Sequence, residues 1–311
     1  MGKRVLVTGS SGFVGSVMVR KLLERGEEVL GIDIKPPTSG LNYDFVIADV
    51  RDYFRDAREV FKEVYHFAAV VGGRANLEGN PLSVASDLAI DSDLFQWAIR
   101  TGQPKLVLFS SSAAYPISRQ TKSFAEQYLD VNLREDHIDL RAIKNADTMY
   151  GHVKMTLEML AQLGEEKGVR CHIFRPFSGY GETQDLTYPF PNLIRLAKED
   201  KGMEIWSDSI RDFIQIEDVC DAVLKAVELD IQGPTNLGTG VATKFSELAR
   251  TMDYLANGER AFEREVKVLS DKPAGVYRRV ANPYKMLSFY HPRYSVEDGI
   301  QLSLEAAYAT Q

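Results

Sequence analysis

Hydrophobic runs and helical periodicities alternate along the first half of the chain. Short runs rich in valine and leucine, typical of buried parallel strands, are each followed by a segment with the apolar spacing of a helix. Strands are predicted at about 3–7, 29–34, 43–48, 64–69, 105–109 and 169–174. Helices are predicted between them at about 16–25, 51–61, 82–100 and 149–167. Strand–helix units of this length predict an α/β fold, a doubly wound parallel Rossmann sheet that binds ligands at the carboxyl ends of its strands.

Beyond Pro176 the pattern loosens, and no flexible linker or internal repeat divides the chain. Helices are predicted at about 193–198, 217–229, 244–256 and 296–306, and short strands at 203–206, 213–216 and 234–238. We expect 1–175 with about 211–240 to form the Rossmann domain that binds the cofactor. We expect about 176–210 and 241–311 to form a smaller, interleaved C-terminal α/β subdomain that binds the substrate.

Composition and charge narrow the class of protein. The 311 residues are 44% hydrophobic and 26% charged, as in ordinary globular proteins, and the net charge of −7 argues against nucleic acid or a membrane as partner. No apolar run approaches the ~20 residues of a membrane span, and the N-terminus has no leader pattern, so we expect a cytoplasmic protein. Cys171 and Cys220 have no metal-ligand spacing, nor do His66, His152 and His172, so free thiols, structural histidines and no metal are expected.

The turn between the first strand and the first helix carries the strongest chemical signal. Gly9, Gly12 and Gly15 follow one another at every third residue. Such a turn presents backbone N–H groups and a helix N-terminus to a diphosphate. Asp33 ends the second strand, where a carboxylate accepts hydrogen bonds from a ribose 2′-OH and repels a 2′-phosphate. NAD is therefore favoured over NADP, while Lys35 keeps NADP open and Asp33 as a strand-end cap is the structural alternative.

A tyrosine and a lysine one helical turn apart form the second signal. Tyr150 and Lys154 share one helix face, and an ammonium beside a phenol favours the phenolate. Tyr150 is thus a candidate general acid/base, with Lys154 tuning it and binding the nicotinamide ribose. A serine at the end of the fifth strand, Ser111 or Ser112, could bind the same substrate oxygen. The alternative is that Tyr150 is a half-buried residue that packs against its neighbours and has no role in catalysis.

Taken together, the motifs resemble the extended short-chain dehydrogenase/reductase superfamily, in its NAD-dependent nucleotide-sugar epimerase, dehydratase and reductase group. The resemblance covers nearly the whole chain, in order. It is carried by T-G-x-x-G-x-x-G at 8–15, Asp33, Asp49-Val50, His66-x-Ala68-Ala69, S-S-x-x-Y-P at 111–116, Tyr150-x-x-x-Lys154, R-P-F-x-G-Y-G at 175–181 and R-D-F-I-x-I-x-D-V at 211–219. The serine motif and the Gly72-Gly73 loop look most like GDP-mannose 3,5-epimerase and GDP-fucose synthase.

This resemblance implies a role for each matching position. Ser111 would be the catalytic serine, with Ser112 as second choice, beside Tyr150 and Lys154. The implied NAD contacts are Gly9, Ser11, Gly12, Phe13, Val14, Gly15, Asp33, Ile34, Asp49, Val50, Phe67, Ala68, Ala69, Tyr150, Lys154 and Pro176. The implied contacts of a nucleotide-diphosphate sugar are Gly73, Arg74, Ser111, Ser112, Ser178, Asn192, Arg211, Arg278 and Arg279.

Although the net charge of the protein is negative, arginines among the implied substrate contacts could bind an anion. Arg211, with Arg278 or Arg279 as its partner, would bind the diphosphate, because planar guanidinium groups bind phosphate oxygens bidentately. Arg74 could bind a sugar carboxylate or hydroxyls, although a solvated loop arginine is the more ordinary interpretation.

Ala113 narrows the reaction. It stands where related dehydratases and decarboxylases carry Glu, and where the 3,5-epimerases and fucose synthase carry Cys. A methyl group cannot remove a proton alpha to a ketone, so reactions that need this base are disfavoured. We expect C4 epimerisation through a transient 4-keto sugar. A nucleotide-sugar 4-dehydrogenase or 4-ketoreductase is the alternative, and epimerisation at another carbon or a non-catalytic NAD-sensing protein is less favoured.

Three further expectations come from the same resemblance. Asp87 stands where many relatives carry Asn. The segment 117–147 is longer than the corresponding segment of relatives, and it could be a lid, a loop that selects the sugar or an inert insertion. A homodimer is expected through the helices at 82–100 and 149–167. The apolar side chains that could form this interface are Leu88, Leu94, Phe95, Trp97, Met155, Leu157 and Leu160, although the sheet could claim many of them.

Overall fold

The computed structural model describes residues 4–37, 40–142, 145–269, 272 and 275–309, without the side chains of Asn76 and Ala309; Lys3, at the start of the first predicted strand, lies outside this part. The first half contains β1 (Val5–Thr8), α1 (Phe13–Glu24), β2 (Val29–Asp33), β3 (Asp44–Ile47), α2 (Val50–Asp56), β4 (Glu63–His66), α3 (Arg74–Gly79), α4 (Pro81–Ala85), α5 (Asp87–Thr101), β5 (Lys105–Phe109), α6 (Lys122–Gln127) and α7 (Thr148–Glu166). The second half contains β6 (Arg170–Pro176), β7 (Ser178–Tyr180), α8 (Pro189–Lys198), β8 (Glu204–Ile205), β9 (Ile210–Arg211), β10 (Phe213–Gln215), α9 (Ile216–Glu228), β11 (Thr235–Leu237), β12 (Thr243–Lys244), α10 (Phe245–Asn257), β13 (Lys267–Val268), β14 (Arg278–Arg279), α11 (Tyr284–Leu287) and α12 (Val296–Ala309).

Seven strands form one parallel sheet in the order β11-β6-β5-β4-β1-β2-β3. Its strands read as continuous apolar runs because helices cover both faces of the sheet. β1 is central, and all four of its residues are buried. The predicted doubly wound α/β fold is confirmed, and the carboxyl ends of β1, β4 and β5 meet at one edge, where the candidate site residues follow.

Three apolar cores hold the molecule together. One lies between the sheet and the helices α1 and α9, around Met18 and Val223. The second lies on the other face, where α5 and α7 pack, around Leu94 and Leu157. The third joins α8, α10 and α12 around Phe190. The assignment of particular ranges to two domains stays a prediction.

Some helices begin or end at other residues than the sequence predicts, and side chains form hydrogen bonds with the backbone at these ends. The helix predicted at 82–100 is two helices, since the Asn80 side chain caps the Ser83 N–H at 3.3 Å and Pro81 starts the short α4, before α5 starts at Asp87. The loop predicted at 71–81 contains α3, and the helix predicted at 51–61 ends at Asp56. There the Phe61 backbone instead exchanges two hydrogen bonds with the Gln103 side chain.

Most of the side chains expected to form a dimer interface are in the core of this chain. Leu94, Phe95, Trp97, Met155 and Leu157 are at most 4% exposed, so the expectation is wrong for them. Leu94, Phe95, Trp97 and Leu157 are buried in the core between the sheet and these two helices, and Met155 packs against Ala114 and Ala146. The exposed apolar side chains on these two helices include Leu88, Ile99, Met149, Met159 and Leu163.

Other expectations concern the cysteines and membranes. Cys171 and Cys220 are buried free thiols, as predicted, and burial raises the pKa of both. No helix in the described ranges is long and apolar enough to cross a membrane.

Candidate active site

The glycine turn after β1 leaves no room for side chains. Gly9 has a φ of +67°, and a Cβ there would lie 2.7 Å from the Ala68 nitrogen. A Cβ at Gly15 would lie 2.0 Å from the Gly9 carbonyl oxygen. Gly12 caps α1 without any side-chain hydrogen bond, and the first turn of α1 has no acidic residue. The N–H groups of Phe13, Val14 and Gly15 are therefore available to an anion, which fits a dinucleotide diphosphate.

Asp33 is fixed beside this turn. One carboxylate oxygen accepts a hydrogen bond from the Ser11 N–H and the other from the Lys35 N–H, both at 3.0 Å. Asp33 therefore does cap the end of β2, as in the structural alternative. Each oxygen keeps a second lone pair, so the same carboxylate can also accept from ribose hydroxyls. Ile34 is exposed next to it.

Asp49 has a local partner that the sequence motif did not indicate. It caps α2 by accepting from the Arg51 N–H at 2.9 Å, and it also pairs with the Arg51 guanidinium at 2.5 Å. Hydrogen bonding to Arg51 lowers the pKa of Asp49. Val50 is buried behind it. The adenine contact expected of Asp49 and Val50 stays a prediction. The Asp49 carboxylate already caps α2 and pairs with Arg51.

The loop after β4 approaches the glycine turn from the other side. The Phe67 N–H donates to the Thr8 carbonyl at 3.1 Å, and the Ala68 nitrogen lies against Gly9. Ala69 follows in the same loop. These backbone contacts bring the predicted Phe67, Ala68 and Ala69 to the edge where the diphosphate would lie.

The serine turn and α7 are joined through one backbone carbonyl, that of Ala113. The Ser111 hydroxyl accepts from the Ala113 N–H at 3.0 Å and starts a short 3-10 turn that contains the buried Ser112. The Ala113 carbonyl accepts from the Asp147 N–H at 3.0 Å, at the start of α7. A Cβ at Gly151 would lie 2.3 Å from the same oxygen. This close approach places the serines next to the first turn of α7, which carries Tyr150.

Lys154 lies one turn after Tyr150 and is 5% exposed. Its ammonium is 5.5 Å from the centre of the Tyr150 ring. Burial alone would lower the pKa of Lys154, but the neighbouring Tyr150, Asp91 and Asp87 raise it. Asp87 and Asp91 lie on α5 at 1% and 2% exposure. Sequence reasoning named Asp87 but missed Asp91, although the helical spacing of four residues was a visible signal.

Two of the expected diphosphate arginines are neighbours in the second half of the chain. Arg211 on β9 and Arg279 on β14 face each other across a parallel pair of strands. Burial lowers the pKa of Arg211 to about 9, and the positive charge of Arg279 adds to this. Within the described ranges no carboxylate pairs with Arg211, whose guanidinium donates to the Ile210 carbonyl at 2.8 Å. Arg278 turns away and donates to Asn132 at 2.8 Å, so Arg279 is the arginine beside Arg211.

Asp147, which sequence reasoning missed, connects this arginine pair to α7. It accepts from both Nη atoms of Arg74 at 3.2 Å and from Arg279 Nη2 at 2.5 Å. Burial alone would raise the pKa of Asp147, but Arg279 and Arg74 lower it. Arg74 is therefore a half-buried, ion-paired residue, and its interpretation as a solvated loop arginine is wrong. Thr148 follows with a φ of +63°, a strained value for a β-branched residue.

The loop before α8, in the second half of the chain, packs against the loop that contains Gly72 and Gly73. The Gly73 N–H donates to Thr187 Oγ1 at 3.3 Å, and a Cβ at Gly73 would lie 2.2 Å from the Thr187 carbonyl oxygen. Tyr188, the next residue, is hydrogen-bonded to the backbone of Gly72 and is close enough to Tyr150 for the two to interact electrostatically. Thr187 and Tyr188 were not predicted from the sequence, because their contacts depend on this long-range packing.

The remaining predicted contacts lie around the same edge. Ser178 donates its N–H to the Asp212 carbonyl at 2.9 Å, next to Arg211, and Pro176 ends β6. The Asn192 side-chain oxygen accepts from Arg195 at 2.9 Å and thus has a partner within its own helix. No group of three or more His, Cys, Asp or Glu side chains could hold a metal ion in the ranges that the structure describes.

The arrangement combines a diphosphate cradle, a serine–tyrosine–lysine group and an unneutralised guanidinium. A glycine turn that lets a ligand approach the backbone and a helix N-terminus fit the diphosphate of a dinucleotide. Tyr150 can exchange a proton with a substrate hydroxyl, with Lys154 beside it. Arg211 and Arg279 can bind a second anion. The geometry therefore supports hydride and proton transfer at one carbinol of an anionic substrate.

Comparison with known proteins adds a family model, described as the NAD dependent epimerase/dehydratase family, that matches residues 5–238. A dTDP-4-dehydro-6-deoxy-D-allose reductase from Streptomyces sp is 28% identical over 307 residues, covering 92% of this chain and 90% of the relative. A GDP-L-fucose synthase from Sinorhizobium fredii is 24% identical over 320 residues, covering 98% and 95%. The crystal structure of a UDP-glucose 4-epimerase with UDP-glucose from Thermotoga maritima superimposes with a TM-score of 0.84 at 23% identity, covering 99% of both chains.

Proposed function

Because the chain belongs to the NAD-dependent epimerase/dehydratase family and uses NAD as its cofactor, we propose that it is a nucleotide-sugar epimerase that acts at C4 through a transient 4-keto sugar. One observation carries the proposal: Gly151 packs on the Ala113 carbonyl and brings the serine turn next to Tyr150 and Lys154. The side chain at position 113 is a methyl group, so this turn offers hydroxyls and no base for elimination or alpha-proton removal.

NAD, when bound, supplies the acceptor and then the donor of the C4 hydride. Tyr150 removes the proton of the C4 hydroxyl as the carbon loses its hydride, so the carbinol becomes a ketone. Ser111 binds the same oxygen and orients it, and Lys154 lies beside the phenol. Once the keto sugar had turned over and been reduced on its opposite face, Tyr150 would return the proton to the oxygen. The cycle consumes no cofactor and exchanges no carbon-bound hydrogen with water.

The nearby carboxylates have other partners. Asp147 is bound by Arg74 and Arg279. Asp87 and Asp91 are buried under Lys154. Dehydration and decarboxylation need an additional acid or base at the sugar, and these three groups are not free to supply it.

The substrate is proposed to be a nucleotide-diphosphate sugar. Arg211 and Arg279 would bind the diphosphate, which would neutralise the buried Arg211. The sugar would lie near Tyr150, beside the loop in which Gly73 is hydrogen-bonded to Thr187 and Tyr188 interacts with Tyr150. A homodimer is also proposed, through the exposed apolar side chains of α5 and α7, among them Leu88 and Met159.

A second candidate is a nucleotide-sugar 4-ketoreductase or 4-dehydrogenase. The observation that favours it is the 28% identity to a reductase of a 4-dehydro sugar nucleotide over 92% of the chain. The same tyrosine, lysine and serine serve this reaction, and the difference is whether the cofactor leaves after one hydride transfer.

The test is mass spectrometry on purified protein with NAD or NADH and a panel of UDP-, GDP-, ADP-, CDP- and dTDP-sugars in D₂O, including 4-keto sugars. A new peak of unchanged mass without deuterium supports the epimerase. A product lighter by two hydrogens with NADH, or a reduced 4-keto sugar with NAD, supports the second candidate. Loss of water or CO₂ contradicts both. Tyr150→Phe should abolish turnover and leave NAD bound, whereas a non-catalytic NAD sensor would show no turnover in the unmutated chain.

A further inference from the structure

Behind Lys154 the structure contains a row of buried ionisable groups that the proposed reaction does not use. Lys154, Asp87, Asp91 and His66 are each between 1% and 5% exposed. They come from three elements, α7, α5 and β4. A charge that is so deeply buried is costly unless an opposite charge accompanies it.

Hydrogen bonds fix the far end of this row. The Thr8 hydroxyl accepts from the Ala68 N–H at 3.4 Å and lies 2.8 Å from His66 Nδ1. The hydroxyl keeps its own proton and a second lone pair, so it can pair with Nδ1 in either tautomer of the imidazole. His66 Nε2 lies 3.4 Å from Asp91 Oδ1. His66 therefore lies next to Asp91, at the end of the row that Thr8 fixes.

At the near end, Asp87 is bound on one side only. Its Oδ1 accepts from the Val70 N–H at 2.7 Å. Within the described ranges, Asp87 Oδ2 and Asp91 Oδ2 are buried without a hydrogen-bond partner. Lys154 interacts electrostatically with both carboxylates. Of the four groups in this row, Lys154 has the side-chain ammonium, Asp87 and Asp91 are carboxylates and His66 is an imidazole.

Charged and titratable groups on the surrounding elements are already paired. Glu158, one turn after Lys154 on α7, binds Arg175 at 2.7 Å. Asp93 on α5 binds Arg55 at 3.1 Å. Tyr150 also lies next to Lys154, Tyr188 interacts with Tyr150, and His152 lies two residues before Lys154 on α7. Lys154 thus has Asp87 and Asp91 as its counter-charges.

We propose that Asp87 and Asp91 are positioning residues of the Tyr150–Lys154 pair: their two carboxylates keep the buried Lys154 ammonium charged. The role in catalysis rests on the proposed function of Tyr150 and Lys154. Replacing the carboxylates by isosteric amides removes the charge and keeps the shape. Burial, which lowers the pKa of Lys154, is then opposed less, and Lys154 loses its proton at lower pH.

The experiment follows Lys154 directly and needs no substrate. The protein is labelled with [13Cε]lysine, the Lys154 signal is assigned by its loss in Lys154→Met, and the signal is followed as pH is raised. In the unmutated protein we expect Lys154 to stay protonated beyond the range in which exposed lysines titrate, near the ordinary value of 10.5. In Asp87→Asn or Asp91→Asn we expect its transition to fall by about 1 pH unit, and by more in the double variant.

The matched control is Asp93→Asn, which removes a carboxylate of the same helix that pairs with Arg55. It should leave the Lys154 transition unchanged, and so should the charge-keeping Asp91→Glu. An unchanged transition in both amide variants overturns the proposal. If the amide variants do not fold, the unmutated protein decides: Lys154 titrating below the exposed lysines shows that the carboxylates do not hold its charge.

A pH profile separates this inference from the proposed function. Once the panel has identified a substrate, the alkaline limb of kcat should move to lower pH in the amide variants, with KM nearly unchanged. A merely structural role would lower kcat equally at every pH. If no sugar nucleotide is turned over but the Lys154 transition shifts, the proposed function fails and the electrostatic role stands. Turnover with an unshifted Lys154 contradicts the inference alone.

Discussion

Gly151→Ala tests whether the contact between the serine turn and α7 sets the catalytic geometry. Gly151 is inside α7, where alanine is ordinarily favoured over glycine by about 1 kcal/mol. The added Cβ would lie 2.3 Å from the Ala113 carbonyl oxygen and 3.1 Å from the Ala146 Cβ. Carbon–oxygen contacts normally begin at about 3.3 Å, so the turn and the helix must separate by about 1 Å.

A displacement of this size acts on two quantities. Moving reacting groups apart by about 1 Å costs on the order of 10²-fold in rate, so kcat should fall by about that factor. Forcing one carbon into a packed contact costs about 1–3 kcal/mol, which exceeds the gain in helix propensity. The Tm should therefore fall as well. NAD affinity should change little, because the glycine turn after β1 is not involved.

The assay is steady-state turnover of the sugar nucleotide identified by the panel, with thermal unfolding and NAD titration on the same preparation. Gly164→Ala, in the same helix, is the matched control. Its Cβ would meet the Phe95 ring at 2.8 Å, a side chain that belongs to the core and not to the site. It should change the Tm and leave kcat nearly intact. A Gly151→Ala protein with a raised Tm and kcat within threefold of the unmutated protein would refute the reasoning.

Breaking the Glu158–Arg175 pair, whose side chains are at most 3% exposed, by Glu158→Gln should destabilise the protein by about 3–5 kcal/mol in denaturant unfolding. The control Asp139→Asn, which removes an exposed partner of Arg141, should leave the unfolding midpoint nearly unchanged. Burial raises the pKa of Asp87 to about 6, so its folded state binds a proton more tightly than the unfolded chain, and stability from this group is lost as pH rises from 4 to 6. Asp87→Asn should remove that pH dependence, up to about 3 kcal/mol, which pH-dependent unfolding of both proteins measures. Asp33→Ala should weaken NAD binding by about tenfold, since a charged acceptor of ribose hydroxyls is lost, and should narrow the preference over NADP in fluorescence titrations; an unchanged NAD/NADP ratio would contradict the role of Asp33.

The sequence by itself determined the sheet, the glycine turn at its edge and the pairing of Tyr150 with Lys154. Strands buried on both faces need continuous apolar runs, so β1, β2 and β5 are visible as such. The glycine turn is visible because two of its local features favour glycine: the positive φ of Gly9 and the close approach of Gly15 to the Gly9 carbonyl oxygen. Tyr150 and Lys154 are visible because helical spacing alone puts them on one face. These signals depend on interactions between near neighbours in the chain.

Only the tertiary structure decided which charges meet. Asp147 binds Arg74 and Arg279 across separations of 73 and 132 residues, and nothing around Asp147 in the sequence indicates either partner. The same holds for the choice of Arg279 over Arg278, two adjacent arginines that strand pairing turns to different partners. Local periodicity determines the helices and strands. How these elements pack determines which ionisable side chains are buried and which opposite charges lie beside them, and burial and nearby charges set the pKa of such a side chain.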